Sequence, residues 1–146
     1  ATRARTYPFD LVFVAFGDEE VGLVGSKQYL EALSSSQRRE IVAMVNLDMI
    51  GVGHRMEFDG QQDLVARSLR IARQMGYWAT EGQPELAMAS DHSSFMDAGI
   101  PALFFYRSED PNYHSSLDTA EKVVATNLEA AGKVALQLLD ELGRRS

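Results

Sequence analysis

Apolar and polar positions alternate between two rhythms along the chain, and the rhythm changes mark the elements. Residues 9–16 are rich in Phe and Val with little alternation, which predicts a strand buried on both faces. Gly22-Leu23-Val24-Gly25-Ser26 opens a helical stretch to about Leu33, which Ser34-Ser35-Ser36 breaks. Ile41 to Leu47 reads as a second buried strand, ending at Asp48 and Gly51. Arg55 to Phe58 reads as a short strand followed by the turn pair Asp59-Gly60. From Gln62 to Met75, Leu64, Val65, Leu69, Ile71, Ala72 and Met75 recur at helical spacing, and Gly76 is placed to stop the helix. Ser90-Asp91 reads as the N-cap of a short helix through Ala98, ended by Gly99. Ile100 to Tyr106 is the third buried strand. A last helix runs from about Leu128 to Leu142, capped by Thr126 or Asn127, with one stripe of Leu128, Ala131, Ala135, Leu138, Leu139 and Leu142. Strands alternating with helices predict a single α/β domain over residues 1–146 with a mostly parallel sheet flanked by helices. Such sheets carry their chemistry at the carboxyl ends of strands.

Composition narrows the chemistry. The 146 residues contain no cysteine, which removes disulfides, thiolate catalysis and Cys-ligated zinc together. Fourteen basic against 21 acidic side chains give a net charge of -7, without the electrostatic footprint of a nucleic-acid binder or of a protein held on an anionic membrane. No apolar run approaches the roughly 20 residues of a membrane span. No phosphate loop and no Gly-x-Ser-x-Gly elbow is present.

Carboxylates and imidazoles collect at one edge of the predicted sheet: Glu19-Glu20 and Asp48 end the first two strands, Ser90-Asp91-His92 sits just before the third, and Tyr113-His114 follows it after a loop. Oxygen and nitrogen donors without thiolate suit a catalytic zinc, manganese or cobalt. Adjacent carboxylates at a strand end point to opposite sides, so one of Glu19 and Glu20 can hold a metal while the other takes a proton from water. The alternative is a solvated acidic turn. Asp48 reads as a ligand or as a turn cap. Asp118 reads as a carboxylate behind the His114 ring or as another turn cap. His92 reads as a substrate contact or as a partner of Asp91, and His54 as exposed.

Four segments then match one family in order and spacing: Phe16-Gly17-Asp18-Glu19-Glu20-Val21-Gly22-Leu23-Val24-Gly25-Ser26, Asn46-Leu47-Asp48-Met49-Ile50-Gly51, Ser90-Asp91-His92-Ser93-Ser94-Phe95 with Gly99-Ile100-Pro101-Ala102, and Tyr113-His114-Ser115-Ser116-Leu117-Asp118-Thr119. From about Asp10 onward the chain resembles the co-catalytic di-zinc aminopeptidases, whose clan also holds glutamate carboxypeptidase and glutaminyl cyclase. The resemblance implies a zinc-exopeptidase fold, two zinc ions per site and a peptide substrate attacked by metal-activated water. It implies Glu19 as general base, Glu20 and His114 as ligands of one zinc, and Asp48 as ligand of the other. It implies Tyr113 against the developing oxyanion, and Asp91 and His92 at the substrate end.

In that family a first His ligand and a metal-bridging Asp come from an upstream His-x-Asp and a Gly-Ala-x-Asp-Asn-like stretch, and no residue here matches them. The resemblance therefore implies the C-terminal portion of a larger catalytic domain, lacking its N-terminal part, with self-association or a completing chain to cover a free sheet edge. Relatives of this kind are often secreted or periplasmic. The alternatives are a non-catalytic peptidase-like module used for partner binding, and a glutaminyl cyclase-like acyl transferase.

Overall fold

The computed structural model describes residues 6–83 and 90–144. Among these residues, five α-helices, α1 (Val24–Ala32), α2 (Ser35–Glu40), α3 (Gln62–Gln74), α4 (His92–Asp97) and α5 (Ala125–Gly143), and a 3-10 turn (Ala120–Lys122) accompany four strands, β1 (Met44–Leu47), β2 (Met56–Gly60), β3 (Ala79–Glu81) and β4 (Ala102–Tyr106). The strands form one mixed sheet in the order β1-β4-β2-β3. β1 runs parallel to β4 with Met44 opposite Ala102, and β2 runs parallel to β3. β2 meets β4 antiparallel, with Glu57 opposite Tyr106.

β4 is interior to the sheet and all five of its residues are buried, which is why it reads as an unbroken apolar run. Its alternation divides the core. Leu103 and Phe105 join Phe58 under α3 and α5, against Leu64, Val65, Ile71, Val134 and Leu138. Ala102 faces the other layer, where Leu30 of α1 and Phe95 of α4 pack with Phe16, Tyr29 and Ile41. Two helical layers on a central sheet are the α/β architecture expected from the sequence.

Several elements differ from expectation. Residues 10–16 form neither strand nor helix, and the apolar run is open to solvent: Val12 is 71% and Phe13 91% exposed. Buried-strand composition needs ladder partners on both sides, and none pairs with this run among the described residues. β1 begins at Met44 and lies at the end of the sheet order, half-buried rather than covered on both faces. Asp59-Gly60 is not a turn but the end of β2; Gly60 (φ 123) presses on the Ala102 carbonyl, where a Cβ would overlap it. The Ser34–Ser36 run does not simply break α1. Ser34 caps α2 in a capping box with Gln37, whose backbone N–H donates to Ser34 Oγ at 3.3 Å. β3 was not expected. Asp91 stands at the N-cap position of α4 but makes no side-chain cap bond. α5 starts three residues early, after Val124, and neither Thr126 nor Asn127 caps it. Its buried face is Ala130, Ala131, Val134 and Leu138, while Leu128 is exposed. No helix of the described residues is long and apolar enough to cross a membrane.

Leu138 is fully buried and Leu128 is 43% exposed, so truncating each to alanine separates core from surface on one helix. Leu138→Ala is expected to cost about 3 kcal/mol by leaving a cavity. Leu128→Ala is expected to stay within about 0.5 kcal/mol. Denaturant midpoints of the two variants check this.

Candidate active site

Glu19 and Glu20 sit on a tight turn that delivers the chain from the 10–16 run into α1. Gly25 N–H donates to Gly17 O at 3.0 Å, Val24 N–H to Asp18 O at 3.1 Å and Leu23 N–H to Glu19 O at 2.9 Å. The turn is closed so tightly that a Cβ on Gly25 would run into the backbone of Gly17. Asp18 (φ 56) and Leu23 (φ 60) bracket it in the left-handed region, which side chains seldom adopt.

Asp48 follows β1. Two residues earlier on the same side of the chain is Asn46. Ser90 Oγ bridges them, donating to Asp48 Oδ2 at 2.9 Å and accepting from Asn46 Nδ2 at 2.6 Å. Ser90 is buried, so the relay holds one carboxylate oxygen of Asp48 in a fixed direction. Met49, directly after, is again left-handed (φ 53).

His114 belongs to the loop after β4, at φ 55. Its Nε2 lies 2.9 Å from Glu20 Oε1, joining two residues 94 positions apart. The Tyr113 ring stacks on the imidazole at 3.8 Å. Both partners of the His114–Glu20 contact are more than half exposed, so its contribution to stability is small. The Asp118 backbone N–H closes a turn after His114, donating to Ser115 O at 3.1 Å.

These groups meet in one cleft of about 490 Å3, whose walls include Val14–Phe16, Glu19 and Glu20 on one side and Asn46–Met49 on the other, with Asp91 and Tyr113. The structure therefore brings together Glu19, Glu20, Asp48, Asp91, Tyr113 and, through Glu20, His114. His92 does not line the cleft. It is buried behind it, stacked on Phe104 at 4.7 Å, with Nε2 3.9 Å from Asp59 Oδ2. His54 is exposed, as expected. Ser90 and Asn46 are site residues that sequence reasoning did not assign. Their signal was faint: Asn46 is two residues before Asp48, and Ser90 adjoins Asp91.

The electrostatics follow from crowding. Burial raises the Glu19 pKa above the usual carboxylate value, and the charges of Asp48, Glu20 and Asp91 raise it further, against a lowering by His114. Burial likewise raises the Tyr113 phenol, helped by Glu20, Glu19 and Asp48. Asp91 keeps one carboxylate oxygen sealed from solvent, with no hydrogen-bond partner among the described residues.

A cleft with this many carboxylates suits cations, and its oxygen and nitrogen donors suit zinc in kind. In number they fall short. Glu20 and His114 stand together, Asp48 stands on the facing wall, and no three donor side chains converge on one metal position among the described residues.

Residues 1–139 match Peptidase family M28, and the chain belongs to that family. It is 31% identical over 140 residues to Aminopeptidase YwaD of Bacillus subtilis, covering 84% of this chain and 30% of that protein. It is 30% identical over 139 residues to a probable leucine aminopeptidase of Arthroderma benhamiae, covering 90% of this chain and 39% of that protein. Among solved structures, a zinc aminopeptidase from Bacillus subtilis superposes with a TM-score of 0.73 at 28% identity, over 87% of this chain and 34% of that one. A glutaminyl cyclase from an Acidobacteriales bacterium, at 22% identity, 85% of this chain, 47% of that chain and a TM-score of 0.69, shares the fold. The chain thus spans 30% to 39% of the length of these curated relatives.

The raised Glu19 pKa has a sign that can be checked in metal-free protein. Below the ordinary glutamate range the group is protonated in folded and unfolded states alike and has no effect. As pH rises toward the raised value, the unfolded state ionises first and the fold loses stability; above it the penalty is complete. Glu19→Gln is therefore expected to stabilise the chelator-treated protein at pH values above the raised pKa. The gain should vanish in acid, as followed by melting temperature against pH.

Proposed function

We propose that this chain carries part of the active site of a zinc-dependent aminopeptidase, with Glu19 as general base, Glu20 and His114 on one zinc and Asp48 on a second. The observation that carries the reading is the joining of Glu20 to His114 at 2.9 Å in the cleft that also holds Glu19 and Asp48. The relatives' names support peptide N-termini as substrate. Zinc, when bound, supplies Lewis acidity toward the scissile carbonyl and acidifies a water molecule.

The remaining chemistry belongs to side chains. Glu19, whose pKa is raised by burial and by its acidic neighbours, accepts the proton of the attacking water and returns it to the leaving amine. Ser90 fixes the direction of Asp48. Tyr113, whose raised pKa keeps its phenol protonated, donates a hydrogen bond where negative charge develops on the carbonyl oxygen. Asp91, on the cleft wall, faces the substrate end.

Catalytic zinc ordinarily has three protein donors and an open position. The reading therefore includes a completing segment, from a longer polypeptide or a second chain, that brings further donors. It joins at the side of β1 that carries no strand among the described residues, where the cleft separates Val14–Phe16 from Asn46–Met49. A free edge and an exposed Val12-Phe13 also favour self-association until that segment is in place.

Glu19→Gln in the protein with its zinc loaded is expected to lower kcat on a leucine amide substrate by roughly 10^2 to 10^4 while zinc content and KM stay unchanged. Undiminished turnover would remove Glu19 from the mechanism.

A further inference from the structure

The turn that carries Asp48 away from β1 is strained, and something must hold it. Met49 is left-handed at φ 53, a conformation costing a non-glycine residue about 1 kcal/mol or more. Strain of this kind persists only where neighbours over-determine it. The upstream side is fixed by the sheet: Asp48 N–H donates to Phe105 O at 3.3 Å. The downstream side, residues 51–54, has no strand or helix of its own.

Its restraint comes from α5. Asn127 Nδ2 donates to Gly53 O at 2.9 Å and to Gly51 O at 3.2 Å. Val124 N–H donates to the same Gly51 carbonyl at 2.9 Å. The chain passes so close there that a Cβ on Gly51 would meet the Val123 side chain at 3.1 Å. Beyond it, Arg107 Nη1 donates to His54 O at 2.8 Å, and Glu109 Oε2 accepts from His54 N–H at 3.1 Å. Asn127 lies in the first turn of α5, where an asparagine would ordinarily serve the helix end. It makes no cap bond there, and its amide is turned on the loop instead. The helix behind it cannot yield easily, because Ala130, Ala131, Val134 and Leu138 are all in the core.

We propose that Asn127 is a positioning residue for Asp48: clasping the Gly51 and Gly53 carbonyls, it holds the left-handed Met49 turn and so keeps the Asp48 carboxylate aimed into the cleft. The clasp pins the turn from the rigid α5, as Ser90 pins the carboxylate from the other side. The consequence for metal binding rests on the assignment of Asp48 as a zinc ligand made above; the clasp itself does not.

The test is Asn127→Asp, with Asn127→Ala beside it. Aspartate is nearly isosteric and favourable in the first turn of a helix, so α5 should not suffer. It has no N–H to donate and turns a carboxylate toward two carbonyl oxygens. Two quantities are read in the protein with its completing segment present: hydrogen exchange at the Asp48 and His54 amides, and zinc retained per folded chain after dialysis against zinc alone. In Asn127→Asp the two amides should exchange about tenfold faster or more, the size of a lost hydrogen bond, while the Val134 and Leu138 amides keep their rates. Zinc affinity at the Asp48 position should fall by about tenfold, with the zinc that depends on His114 unaffected. Asn127→Ala should move both readouts the same way by less. Unchanged exchange at Asp48 and His54 would overturn the clasp. Faster exchange with unchanged zinc affinity would overturn the positioning role. If the unsubstituted protein takes up no zinc, the metal assignment of Asp48 fails instead. The clasp is then decided by exchange alone: acceleration at Asp48 upholds it and its absence overturns it.

Discussion

Four carboxylates, Glu19, Glu20, Asp48 and Asp91, share one cleft, and their mutual repulsion is the constraint around which the rest of the site is arranged. Its effect is visible on Glu19, whose pKa is raised by burial and then by its three acidic neighbours. His114 is the one histidine brought against the cluster, through Glu20. Like charges are held this close only when the fold fixes their carriers or when cations come between them. The fold supplies the fixing, through the Ser90 relay to Asp48 and the closed turn at Glu19-Glu20; in the function proposed above, zinc supplies the counter-charge.

The fixing is done by strained turns rather than by helices or strands. Among the described residues, the non-glycine ones with left-handed backbone are Asp18, Leu23, Met49 and His114. Each is itself a site residue or lies within three positions of one. Asp18 and Leu23 bracket the Glu19-Glu20 turn, Met49 follows Asp48, and His114 is itself left-handed. Each turn adjoins a well-anchored element: the first leads into α1, packed through Leu30, the second leaves β1, laddered to β4, and the third lies in the loop out of fully buried β4. Rigid elements and strained exits together let residues from distant parts of the sequence meet in one cleft.

Much of this was legible in the sequence because periodicity reports burial. β4 and α3 lie where apolar spacing placed them and α5 begins three residues earlier; Glu19, Glu20 and Asp48 stood out at predicted strand ends, with Asp91 just before the third strand and Tyr113 in the loop after it. What periodicity does not report is pairing. The run at 10–16 has the composition of a doubly covered strand, yet finds no ladder among the described residues, and β1 was expected inside a sheet at whose edge it lies. The Ser34-x-x-Gln37 capping box was readable but looked like a breaker in a run of serines. Three-residue β3 was too short for any rhythm. The Ser90–Asn46 relay and the Asn127 clasp were invisible because each depends on side chains from separate segments meeting in three dimensions. His92 adjoins Asp91 in sequence, but the start of α4 sends it back against Phe104 instead of into the cleft.

The chain spans a fraction of its curated relatives, so a direct test must ask whether the residues it does contain hold metal. The measurement is zinc bound per folded chain, by elemental analysis after dialysis, with the completing segment present, in the unsubstituted protein and in Glu20→Ala and His114→Ala. The account predicts that the unsubstituted protein retains zinc and that each substitution removes zinc from the position those two residues share. Zinc retention indifferent to both substitutions would contradict it.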